Sequence, residues 1–313
     1  MSKHAKGAFL TMFGAACWGI SGTVGQYLFT AEGMDSTWLV PIRLGLAGLL
    51  LCGYYFFKNR RLLVAPWKTR ANRRDLIVYG IAGVSMCQFL YFLTIQLSTA
   101  GIATILQDLS PVLILGLACL TARRGPRVFE LFSVALALIG VVLLTTHGSL
   151  TDMAVSPAAL LTGVISAFCV VIYTVVPKKL QQQYPTALLQ GWAFLMGGAL
   201  FCLLFRPWRM GYVPSVRGCI GIVVVVIVGN VLAFTCYMSG VKLVGPQRAS
   251  LYSFAEPVTA AVLSTLVLGS PFTGWDAFGF GCIFLMLVLL SLSRDPAPAP
   301  QTAPAPQAVP AES

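Results

Sequence analysis

The sequence predicts an all-α integral membrane protein with ten transmembrane helices, arranged as two inverted five-helix repeats with both termini in the cytoplasm. Three observations predict it: an apolar composition, ten apolar runs of spanning length, and a self-match between the two halves of the chain. Of 313 residues, 57% are hydrophobic and 10% charged, and the mean hydropathy is +0.82. A soluble domain carries about 25% charged residues. So few charges cannot cover a water-facing surface, which argues against a cytosolic enzyme, a secreted disulfide scaffold and a disordered chain.

A spanning helix needs about 20 mostly apolar residues. Span 1 covers 7–29. Lys3 and Lys6 precede it as they would a signal peptide, but the apolar run outlasts an h-region and therefore stays in the membrane. Gly14, three residues before Cys17, stands where a lipoprotein signal needs a bulky aliphatic residue. Span 2 covers 36–57, span 3 covers 76–96, span 4 covers 99–121 and span 5 covers 128–146. The second half supplies spans 6 to 10 at 156–177, 185–205, 218–239, 246–268 and 273–293. Gly191, Gly197 and Gly198 in span 7 allow a neighbouring helix to approach closely. The predicted domains are a first repeat at 1–146, a second at 147–293 and a Pro/Ala-rich cytoplasmic tail at 294–313, read as disordered.

The net charge of +11 falls mostly in loops on one side. Lys58, Arg60, Arg61, Lys68, Arg70, Arg73 and Arg74 follow span 2; Arg123, Arg124 and Arg127 follow span 4; Lys178 and Lys179 follow span 6. These loops are cytoplasmic by the positive-inside rule. The opposite loops carry Glu32, Asp35 and Asp152, with Arg206, Arg209 and Arg217 as the exception. The positive charge is thus a topology signal that also faces anionic lipid head groups, and nucleic-acid binding has no support. Nine cysteines, odd in number and without a CxxC pair, sit in apolar runs as packing residues rather than in a disulfide or metal framework.

Sliding the second half over the first by 146 positions aligns Gly83 with Gly229, Tyr91 with Tyr237, Pro111 with Pro257, Glu130 with Asp276 and Phe132 with Phe278. Spans 3 to 5 therefore match spans 8 to 10 without a gap. Five spans per half is odd, so the halves enter the membrane in opposite senses. Inverted repeats of this kind build secondary transporters, with the substrate site at the repeat interface.

Four segments then carry a resemblance: AACWGISG in span 1, VPIRLGLAG around Arg43 in span 2, LSPVLILGLACL in span 4 and FAEPVTAAVLSTLVLG in span 9. In this order, with the repeat, the chain from residue 1 to about 293 resembles the EamA-type branch of the drug/metabolite transporter superfamily. The family often closes spans 4 and 9 with Gly-Glu, where this chain has Arg124 and Ser270; that Glu is taken for a loop anchor. The resemblance implies a multi-pass inner-membrane carrier of small organic metabolites, amino acids or related solutes among them. Export is the expected direction.

Ionisable side chains in hydrocarbon are expensive, at least about 2.5–3.5 kcal/mol each, and usually face a cavity. Three lie well inside spans: Arg43, Asp108 and Glu256. The two acids fall near mid-membrane at closely corresponding places in the repeats. Burial disfavours the charged form of a carboxylate, so either acid could take up and release a proton, as a proton-coupled carrier requires. The structural alternative is that Arg43 bridges to one acid while hydrogen bonds keep the other neutral. Trp18, Gln88, Tyr91, Gln107, Asn230 and Tyr237 lie at similar depth, and Tyr252 and Ser253 precede Glu256 on its helix face. They suit contact with a small amphipathic solute, or ordinary helix packing. Pro111 and Pro257 kink spans 4 and 9 beside the acids and are candidate gating points.

The expected partners are a small-molecule substrate, membrane lipids and protons, with no cofactor or metal; the oligomeric state is not legible. An enzyme is disfavoured because the histidines, His4 and His147, stand on the N-terminal tail and at a helix end. No GxxxxGK[ST] loop occurs, so the driving force is an ion gradient or the solute's own. A facilitative channel or a lipid flippase is the alternative within membrane proteins.

Overall fold

The computed structural model describes residues 2–123, 125–146, 155–175, 178–244, 249 and 252–292. The predicted tail at 294–313, His147, Asp152, Arg124 and Arg248 lie outside the described residues. Within them the chain is helical, with no strand.

The helices, in chain order, are α1 (Lys3–Thr30), α2 (Ser36–Lys58), α3 (Arg70–Leu97), α4 (Ala100–Gln107), α5 (Ser110–Thr121), α6 (Val128–Thr146), α7 (Pro157–Val175), α8 (Thr186–Phe205), α9 (Val216–Val244), α10 (Ala255–Leu268) and α11 (Gly274–Leu292). Two short connectors, Arg60–Val64 and Lys178–Gln183, lie between them. By length and composition, 7 stretches among the described residues can cross a membrane; α4 and α5 together form one of them. Val128–Leu144, Ala255–Leu268 and Gly274–Met286 are apolar but shorter.

Side chains cap the helix starts. Ser2, Asp35, Thr99 and Ser215 each accept a backbone N–H of the first turn. The repeat-related acids Glu130 and Asp276 do the same work in α6 and α11, where their carboxylates accept the N–H of Arg127 and of Thr273 three residues back.

Two departures from straight α-helix occur at matching places. In α3, residues Val78–Ser85 are π-helical, and in α9 residues Val225–Leu232 are. Gly83 and Gly229 sit in these segments. A Cβ on Gly83 would come 2.6 Å from Cβ of Tyr173 in α7, and one on Gly229 would come 2.2 Å from Oγ of Ser21 in α1. Span 4 is not the continuous kinked helix the sequence suggested but is broken at Asp108 and Leu109, between α4 and α5. Pro111 has no N–H to continue the ladder, and the Leu109 N–H bonds Leu106 in a tighter turn. A turn at Ser253 and Phe254, four and three residues before Pro257, precedes α10.

The helices pair in a reciprocal pattern. Helix α2 packs on α8 and α6 on α11; α1 packs on α9 and α10, as α7 packs on α3 and on α4 and α5. Small residues allow it. A Cβ on Gly48 would lie 2.4 Å from the Leu195 nitrogen, one on Gly198 2.5 Å from the Gly45 nitrogen, and one on Gly14 2.6 Å from the Ala233 carbonyl oxygen. No side chain fits at such crossings, so the backbones themselves are in contact.

Candidate functional site

The breaks in span 4 and before α10 put Asp108 and Glu256 where helices of both halves meet. The Glu256 carboxylate lies 3.5 Å from the Tyr91 hydroxyl, which is 2.9 Å from Thr104 Oγ1 on α4. Asp108 is close enough for its charge to act on Glu256, and both acids act on the Tyr91 and Tyr237 hydroxyls. The Tyr237 hydroxyl hydrogen bonds Ser253, and its ring lies 4.8 Å from that of Trp18. Thus α1, α3, α4, α9 and α10 each place a predicted residue, or a neighbour of one, around the pair of acids.

Arg43 is on α2 and 1% exposed. It does not bridge to either acid. One guanidinium nitrogen donates to Gln88 Oε1, the guanidinium carbon lies 3.6 Å from the centre of the Phe92 ring, and Nε has no partner. A stacked, delocalised cation is the form of charge that tolerates such a place best. Through Tyr91 and Cys87 its charge reaches the same cluster.

Asn230 lies in the π segment of α9, 3% exposed, with its amide nitrogen unpartnered. Among the described residues, no hydrogen bond or ion pair ties it or the half-buried Tyr252 to the acids. The sequence reading did not pick out Thr104, nor Cys87, whose thiol lies 3.6 Å from Gln107 Oε1. It also missed Tyr173, whose hydroxyl lies within electrostatic range of Glu256. A neutral hydroxyl or thiol in an apolar run gives no signal until its partners are known.

Helix α1 runs against the site. A Cβ on Gly19 would come 2.6 Å from the Glu256 carbonyl oxygen, and one on Gly22 2.9 Å from the Tyr91 hydroxyl. One turn further, the Gln26 amide joins α1 to the start of α4 and the end of α10. Its Nε2 donates to Ser270, the residue that stands where the resembled family often has Glu. Among the described residues, no group of three or more His, Cys, Asp and Glu is arranged to hold a metal ion.

Comparisons with known proteins show the family and the fold. The chain is 34% identical over 292 residues to the uncharacterized inner membrane transporter YicL of Salmonella typhimurium, covering 93% of this chain and 97% of that protein. It is 24% identical over 270 residues to the uncharacterized inner membrane transporter YedA of Escherichia coli strain K12, covering 83% of each. A solved crystal structure shares the fold with a TM-score of 0.57 at 18% identity, covering 88% of this chain and 95% of that one. The model of the EamA-like transporter family matches residues 5–146 and 157–292. The chain therefore belongs to the EamA-like transporter family and is a multi-pass inner-membrane transporter.

Proposed function

We propose that this transporter is a secondary active carrier that exports small organic metabolites, amino acids or related solutes, coupled to protons, by alternating access. Its moving parts are two inverted five-helix halves, residues 1–146 and 147–293, with both termini in the cytoplasm. Glu256, Asp108 and Arg43 carry proton or substrate contacts; Trp18, Gln88, Tyr91, Asn230, Tyr237, Tyr252 and Ser253 line the path; Pro111 and Pro257 mark the gates.

The observation that carries the proposal is the Tyr91–Glu256–Asp108 cluster, built from helices of both halves where two spans are broken. Two carboxyls in electrostatic reach of each other inside a low-dielectric interior disfavour double ionisation, so occupancy by a proton or by a cationic ammonium group is coupled to the pair. Broken helices at mid-span are the usual setting for such sites in secondary transporters. The reciprocal pairing of α1 with α9 and α10, and of α7 with α3, α4 and α5, supports a two-fold exchange of roles between the halves. Net basic loops between spans 2 and 3 support the orientation.

Counterflow in vesicles tests it. Purified protein in liposomes preloaded with a mixture of amino acids should accumulate a labelled amino acid transiently and saturably. A channel gives no transient accumulation, and a flippase moves lipid rather than the amino acid. Either outcome would contradict the proposal.

A further inference from the structure

A buried glutamine on α1 lies between the site and one end of the bundle. Gln26 is 3% exposed. Its Oε1 accepts from the Ala100 N–H at 2.9 Å and from the Ser264 hydroxyl at 2.9 Å, and its Nε2 donates to Ser270 Oγ at 2.8 Å. The Ala100 N–H is one of the open donors at the start of α4, and Ser270 follows Gly269, whose φ of +66° ends α10 in a left-handed turn. One amide therefore ties α1 to an end of each of two other helices, α4 from the first half and α10 from the second.

The placement relative to the site matters more than the bonds alone. Gly22, one turn before Gln26, is packed against the Tyr91 hydroxyl and Ala100, and Thr23 Oγ1 lies 3.4 Å from the Ala260 carbonyl oxygen. A solute moving from Tyr91 and Glu256 towards this end of the bundle must part α1 from α4 and α10. Doing so strips the Gln26 amide of its partners, and the Ala100 N–H of its acceptor. The neighbouring ends are also tied across: Tyr212 and Ser215 donate to Glu32, and the Ser36 N–H donates to Gln96.

We infer that Gln26 is the latch of the gate on the face opposite the basic loops, holding that side of the site closed until substrate or proton binding parts α1 from α4 and α10. This rests on the alternating-access reading above. The latch acts by position rather than by touching the solute, and its partners are uncharged, so it opens without moving a charge through the bilayer.

Cys87, buried beside Gln107 in the site, is a native reporter. The experiment measures its modification by a membrane-impermeant methanethiosulfonate in right-side-out vesicles, by peptide mass spectrometry, with the buried Cys52 near the other end of α2 as control. Gln26→Ala should raise the Cys87 rate tenfold or more and leave the Cys52 rate unchanged. The milder Ser264→Ala/Ser270→Ala double variant should raise it by less, which keeps the test valid if Gln26→Ala does not fold. Unchanged Cys87 labelling in both variants overturns the latch, and so does an equal rise at Cys87 and Cys52, which would mean general loosening. Absence of amino-acid counterflow with a Cys87-specific rise would instead overturn the amino-acid assignment and leave the latch standing.

Discussion

The Tyr91 hydroxyl, on α3, lies 3.5 Å from the Glu256 carboxylate, on α10. The same hydroxyl is 2.9 Å from Thr104 on α4, so one phenol joins the acid to the helix that leads to Asp108. Tyr91→Phe keeps the ring and its edge-on contact with Phe92 but removes the donor. If the phenol steadies the acid during transport by about 1.4 kcal/mol, initial transport rates should fall about tenfold, with little change in detergent melting temperature because the resting contact is long. An unchanged rate in reconstituted vesicles would separate Tyr91 from transport.

Arg43 is held by Gln88 and the Phe92 face with no acid as partner. Arg43→Met removes a buried charge that no acid compensates and keeps most of the volume, so the variant should melt at or above the wild type. Transport should nonetheless drop below about a tenth. Arg43→Lys should not rescue it, because an ammonium cannot both stack and reach Gln88. A variant that melts far lower would mark Arg43 as structural instead.

At the crossing of α2 and α8 the backbones touch. A Cβ on Gly198 would lie 2.5 Å from the Gly45 nitrogen, a backbone atom that cannot step aside. Gly198→Val should lower stability by about 3 kcal/mol or more, seen as a lower melting temperature and poor recovery from membranes. At Gly53 on α2, where nothing lies within 4 Å, a substitution to Ala should be silent.

The apolar runs were legible because each is a long stretch with little charge, and among the described residues 7 stretches are long and apolar enough to cross a membrane; Glu256, Asp108 and Arg43 were legible because charge is rare inside such stretches. The self-match was legible too, and the structure gives one of its pairs a role: Glu130 and Asp276 cap α6 and α11. The breaks were half legible. Proline marks where a ladder must fail, but that span 4 turns at Asp108 and Leu109 depends on packing against α7. The π segments at Val78–Ser85 and Val225–Leu232 carry no such mark, since Val, Gly and Ile fit either ladder. Gln26 was invisible for a different reason: its partners lie 74, 238 and 244 residues further along.

At the end of the bundle that holds Gln26, Asp35 caps α2. Partial burial pushes its carboxyl up, but hydrogen bonds from the Thr37 hydroxyl, the Gln96 amide and the Thr37 N–H outweigh it and hold it below the usual carboxylate range. A folded-state value below the unfolded one contributes stability above the unfolded value, near about 3.9, which is lost as pH falls through the folded value. Asp35→Ala should therefore cost about 1 kcal/mol at pH 7, and the gap from the wild type should close as pH drops below about 4. Thermal melts in detergent across that range check the sign.

Glu256, with the Tyr91 hydroxyl beside it, and Asp108 are proposed to carry the proton or the substrate. The most direct measurement of that role is the initial rate of labelled amino-acid uptake into liposomes against external pH, for the wild type, Glu256→Gln and Asp108→Asn. The wild type should show a pH-dependent rate and Glu256→Gln a rate that is low and flat with pH, with Asp108→Asn impaired in the same direction. Full rates with an unchanged pH profile in both variants would contradict that role.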